Sequence, residues 1–156
     1  MSTAVEHPSV VEVLKRKVGA GFYLTEVGVD RSGVVAPEDF ETSVPTALVC
    51  IMHSNNETGC IQPVEVVARR FPTSHVHCDA VQSLGKLPLD VDDLGVDSMA
   101  VSGHKLGGPL GVGALWVRDR TVMEPLSFGG GQEEGMRPGT YNLPAIVGFG
   151  KACELV

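Results

Sequence analysis

Positive charge is scarce in this chain of 156 residues. Lysine and arginine number 12 against 19 aspartates and glutamates, a formal net charge of −7. Such a balance excludes a basic face for nucleic acid and a polybasic patch for a membrane surface. Long apolar runs are also missing, and none approaches the roughly 20 residues that span a bilayer. The start, "MSTAVEHPSV", lacks the basic and apolar stretch of a signal peptide. Cysteine is sparse and irregularly placed, at Cys50, Cys60, Cys78 and Cys153. This spacing fits neither a zinc pattern nor a disulfide framework. Internal repeats and low-complexity tracts are absent too. An acidic, soluble protein of a reducing compartment, the cytosol, is expected, with a small-molecule substrate rather than nucleic acid or membrane as partner.

A core is well supplied, because 43% of the residues are hydrophobic. "SVVEVLKRKVGAG" has helical apolar spacing and ends in glycine. "PVEVVARRF" reads as a helix with proline in its first turn, and "NLPAIVGFGKACELV" as another. "FYLTEV", "TALVCIMHS", "HVHCD", "VDSMAVSG" and "VGALWV" read as strands. Near-continuous apolar strands between helices predict an α/β fold, a mainly parallel sheet covered on both faces.

In such sheets ligands gather at the carboxyl ends of the strands. "MHSNNETG", "DAVQS" and "SGHK" each follow a predicted strand. Each has a plain structural account: a turn, a helix cap at Asp79, a solvent lysine at Lys105. Three at corresponding ends point instead to one convergent site. His75, His77 and Asp79 share a strand face and suggest a metal, yet that leaves the nearby lysine and glycines without a role. "KLGGPLGVG" is not a phosphate loop, since its lysine precedes the glycines and a strand follows them. The order Asp–Gln, then Ser-Gly-His-Lys, suits pyridoxal 5'-phosphate. Lys105 would carry its aldehyde, Asp79 would hold the pyridine nitrogen protonated, and Gln82 would donate to the phenolic oxygen. Ser102 and His104 would donate to the phosphate.

"VEH", "MHSNNETG", "HVHCDAVQSLGKLPLD", "GVDSMAVSGHKLGGPLGVGALWVR" and "GGGQEEGMRPGTYN" stand in order along the chain. Together they resemble the motifs of the cysteine desulfurase and selenocysteine lyase family, fold-type-I pyridoxal phosphate enzymes related to class V aminotransferases. "DLGVD" and "FGGGQE…RPGTYN" are most similar to selenocysteine lyase. The resemblance implies the three-layer aminotransferase-like large domain over residues 1–156, incomplete at both ends. It implies a lyase that releases selenium from selenocysteine and leaves alanine, or, as the alternative, a desulfurase passing persulfide sulfur to an acceptor protein. His7 then matches the histidine stacked on the ring, Asn56 a residue near the substrate carboxylate, and Thr140 a threonine reaching the cofactor phosphate of the other subunit in a homodimer. Lys105, His7 and Asp79 carry the catalysis; His7, Asp79, Gln82, Ser102, His104, Lys105 and Thr140 bind the cofactor. No metal is implied. The family's glycine-alanine-threonine phosphate loop precedes the position of His7, and its cysteine loop and carboxylate-binding arginine follow that of Val156. The expectation is therefore a cofactor-binding core, inactive by itself, whose four cysteines are structural.

Overall fold

Six strands form one sheet in the order β2-β1-β3-β4-β5-β6. The computed structural model describes residues 1–118 and 123–156. β1 (Ser2–Thr3), β2 (Glu26–Val27), β3 (Leu48–Met52), β4 (His75–Asp79) and β5 (Ser98–Ser102) run parallel. β6 (Gly113–Val117) is antiparallel to β5. The mixed, mainly parallel α/β sheet anticipated from the apolar runs is thus present.

β4 falls on the predicted residues, whereas the "FYLTEV" strand shrinks to Glu26–Val27. Phe22 and Tyr23 are 59% and 94% exposed, so this part of the segment has no buried face to hold it extended. Helix α1 (Pro8–Val18) opens with proline after the cap residue His7. Lys15, Arg16 and Lys17 lie in its last turn, where the helix dipole favours cations. Helices α2 (Val64–Arg70) and α3 (Val91–Leu94) follow, and α4 (Leu143–Glu154) starts at the cap Asn142.

The two faces of the sheet differ. Val49, Ile51, Val76, Cys78 and Met99 pack with Val64, Val67 and Ala68 of α2 in the main core. Each such aliphatic side chain contributes roughly 1.5–3 kcal/mol. Because strand residues alternate, Cys50, Met52, His77, Asp79 and Ser98 take the opposite face. Asp79 and Cys78 therefore point to opposite sides.

The glycines between β5 and β6 serve the chain reversal. Gly107 has φ +77°, a conformation that side chains disfavour, and it ends the short 3-10 turn Gly103–Leu106. A Cβ on Gly103 would lie 3.2 Å from Phe149 of α4, so the turn carrying Lys105 rests directly on that helix.

Candidate functional site

The carboxyl ends of β1, β3, β4 and β5 form one edge, and each delivers polar groups to it. Beyond β1 comes His7. It caps α1: Nδ1 accepts the Ser9 amide at 3.2 Å and lies 2.8 Å from Ser9 Oγ. An amide N–H can only donate, so Nδ1 carries no proton and Nε2 does. The ring itself is exposed.

Beyond β3 runs His53-Ser54-Asn55-Asn56. Asn55 organises the turn, its Oδ1 accepting the amides of Glu57 and Thr58 at 2.9 Å and its Nδ2 donating to the Val5 carbonyl at 3.0 Å. That leaves Asn56 exposed at the tip, as a contact for a small molecule requires.

β4 ends on Asp79 itself, 8% exposed, with Oδ1 accepting the Val81 amide at 2.9 Å. Gln82 follows in a turn rather than a helix. Lys86 Nζ lies 3.1 Å from the Gln82 carbonyl and 3.4 Å from Gln82 Oε1. With its oxygen turned to a cation, Gln82 is left with its amide hydrogens to offer.

β5 ends on Ser102, whose Oγ is 2.8 Å from His104 Nδ1. Lys105 stands next in the 3-10 turn, exposed. Among the described residues it makes no ion pair, whereas Lys15 and Lys151 pair with glutamates on their own helices.

Thr140 is exposed on the loop leading to α4, and no hydrogen bond among the described residues ties it to this edge. His75 and His77 do not gather ligands. His75 Nε2 and His77 Nδ1 both meet Ser98 Oγ, at 2.7 and 2.8 Å, and burial lowers the His77 pKa. Of the four cysteines, Cys50 and Cys78 are buried, and burial holds both as thiols, with the Cys50 pKa pushed up to about 12. Cys60 donates from Sγ to the Ser32 carbonyl, and Cys153 is exposed on α4.

Sequence reading passed over two features. Behind Gln82, Ser83 is fully buried and joins Ser54 Oγ and His53 Nδ1, the latter at 2.7 Å. His53 is kept neutral by burial, and its amide donates to the Asp79 carbonyl at 2.8 Å. Glu6, before His7, is the second. The residue is 7% exposed. Only the pairing of β1 with β3 and of β3 with β4 reveals either, because nothing local distinguishes a buried serine or glutamate.

Two surface concavities lie at the other end of the sheet, one around Phe40 and Arg70, one around Met1, Leu14 and Tyr23. Neither gathers groups that suit catalysis, and the strand-end edge is the candidate site.

A buried acceptor, an amide donor, a hydroxyl–imidazole pair and an unpaired amine on adjacent strand ends define the chemistry of an aldehyde cofactor with a ring nitrogen and a phosphate. The chain belongs to the class-V aminotransferase family, which it matches over residues 1–156. Members of this family use pyridoxal phosphate, and the residues present fit it. The relatives with curated names include the cysteine desulfurase IscS of Dictyoglomus turgidum, 43% identical over 160 residues, covering 99% of this chain and 40% of that protein. The cysteine desulfurase of Pongo abelii is 42% identical, with 99% and 35% covered. A solved NifS-like protein superposes with a TM-score of 0.93 at 44% identity, covering 99% of this chain and 44% of that one. SspA, solved in complex with cysteine, gives 0.93 at 40%, covering 98% and 46%. The chain thus spans about 40% of the length of the curated relatives it matches.

Proposed function

We propose that this chain is the cofactor-binding part of a pyridoxal phosphate enzyme that takes sulfur from cysteine and leaves alanine. The observation that carries this is Lys105, an unpaired amine at the end of β5, next to the strand that ends on Asp79. The expectation from "DLGVD" and "RPGTYN" was selenium rather than sulfur. The names of the relatives favour the alternative, cysteine desulfurase, and SspA holds cysteine. Selenocysteine is kept as the second substrate to test.

Pyridoxal phosphate supplies an electron sink that stabilises a carbanion at the substrate Cα. Lys105 would hold it by its amine and would be the base for the Cα proton. Asp79 would keep the ring nitrogen protonated. Gln82 would offer its amide to the phenolic oxygen, and Ser102 with His104 would offer donors to the phosphate. His7 would serve the ring with its Nε2 proton available, and Asn56 would meet the substrate carboxylate. Thr140, exposed on the loop before α4, would serve the phosphate site of a second copy in a homodimer. Cys50 and Cys78, buried as thiols, are unsuited to accept sulfur.

The test is alanine formation by the cofactor-loaded whole enzyme of which this chain is a part, with cysteine and selenocysteine offered separately. With a dithiol in the assay to take up the sulfur and reduce it to sulfide, alanine and sulfide from cysteine, both abolished by Lys105→Ala, are expected. Alanine from selenocysteine alone would move the assignment to selenium. Transfer of the substrate amino group, with no sulfide or selenide released, would refute both.

A further inference from the structure

Glu6 Oε2 is buried and has no hydrogen-bond partner, alone in this among the side-chain oxygens and nitrogens of the described residues. The other oxygen is fully used. Oε1 accepts the Thr3 hydroxyl and the Met52 amide, both at 2.6 Å. Thr3 ends β1 and Met52 ends β3, so the carboxyl group clamps the two strands immediately before His7.

A carboxylate here would leave a bare charged oxygen in a dry place, which is far costlier than a neutral group. The four ion pairs of the described residues do not include Glu6. The ionisable groups that act on it or that it acts on are Asp79 at the end of β4 and the thiols of Cys50 and Cys78. Asp79 opposes a second negative charge. Burial is the larger effect, and against the pull of the Thr3 and Met52 bonds it raises the Glu6 pKa to about 7. A carboxylic acid lowers the cost of the asymmetry, because a neutral hydroxyl loses far less than a charged oxygen on burial. Its carbonyl oxygen takes both donors and its hydroxyl occupies the unpartnered side.

We propose that Glu6 is a positioning residue that works as a neutral carboxylic acid: Oε1 fastens the turn carrying His7 to the end of β3, and the proton on Oε2 leaves Asp79 without a rival carboxylate charge beside the cofactor ring. The second half rests on the function proposed above; the protonation itself does not.

Two variants separate the parts. Glu6→Gln keeps an oxygen for Thr3 and Met52 and is neutral at any pH. Glu6→Ala leaves both donors unpaired. Infrared difference spectra of the cofactor-free protein at about pH 6, below the Glu6 pKa of about 7, compare wild type with Glu6→Gln. A carbonyl band of a protonated carboxyl group, lost in Glu6→Gln, is expected. Pyridoxal phosphate affinity, read by absorbance and with folding checked by circular dichroism, should stay within about threefold in Glu6→Gln and fall roughly tenfold in Glu6→Ala. A wild-type spectrum without that band would overturn the proposal, as would a folded Glu6→Gln protein that loses as much affinity as Glu6→Ala. If wild type itself fails to take the cofactor, the functional reading falls, while the infrared band still decides the state of Glu6.

Discussion

The proposed function gives Asp79 two jobs with one side chain, and a single atom separates them. Its Oδ1 accepts the Val81 amide at 2.9 Å, a structural bond that an asparagine oxygen would also make. The charge is what a ring nitrogen needs. Asp79→Asn is therefore expected to leave the thermal midpoint close to wild type and to lower alanine formation roughly 10²-fold or more, the scale of losing a preorganised electrostatic contact. Near-normal turnover would reduce Asp79 to a turn residue. Glu6 carries a pH signature of its own. Its pKa is raised from an ordinary 4.5 to about 7, so between those values the folded chain holds a proton that the unfolded chain has released. Stability from this group is then complete below about pH 4.5 and is lost as the pH rises toward 7, on the order of 3 kcal/mol in all. Denaturation curves across that range should show the loss in wild type and its absence in Glu6→Gln.

At the scale of elements, the turn between β5 and β6 is where position is set. Gly103 lies against Val112 and Phe149, at 3.0 and 3.2 Å from an added Cβ. Gly103→Ala should press the turn off α4 at a cost of about 1–3 kcal/mol, lowering the thermal midpoint by several degrees and weakening cofactor binding at Lys105. Unchanged values of both would show that the turn yields freely. These same elements show what a sequence discloses. β4 was legible to the residue, because "HVHCD" alternates between a core face and a site face. "FYLTEV" was not, because its aromatic residues find no core and only two residues pair. The strand-end rule anticipated that Asp79, Gln82 and Lys105 lie at and beyond the carboxyl ends of β4 and β5, since it depends on topology alone, whereas His7 came only from the resemblance. Ser83, His53 and Glu6 stayed hidden, because their roles come from contacts across 30 and 46 residues of chain. Asn55 shows the same limit: the sequence pair "NN" does not say which asparagine turns inward.

For the whole molecule, the question is what completes the site. Leu126, Phe128, Leu143 and Val147 are exposed around the loop that bears Thr140, at 102%, 89%, 62% and 69%. Apolar groups so exposed fit a surface that meets another copy. If Thr140 acts across a homodimer, Lys105→Ala and Thr140→Ala proteins, each impaired alone, should complement on subunit exchange. A statistical mixture would then place intact sites at about one quarter of positions. Failure of mixed dimers to gain activity would put Thr140 in its own subunit's site or in none. All of this stands on Lys105 as the anchor. The most direct measurement is borohydride reduction of the cofactor-loaded protein followed by peptide mapping by mass. The account predicts one pyridoxyl group, on Lys105 of "SGHKLGG"; the label on Lys86, the lysine beside Gln82, would contradict it.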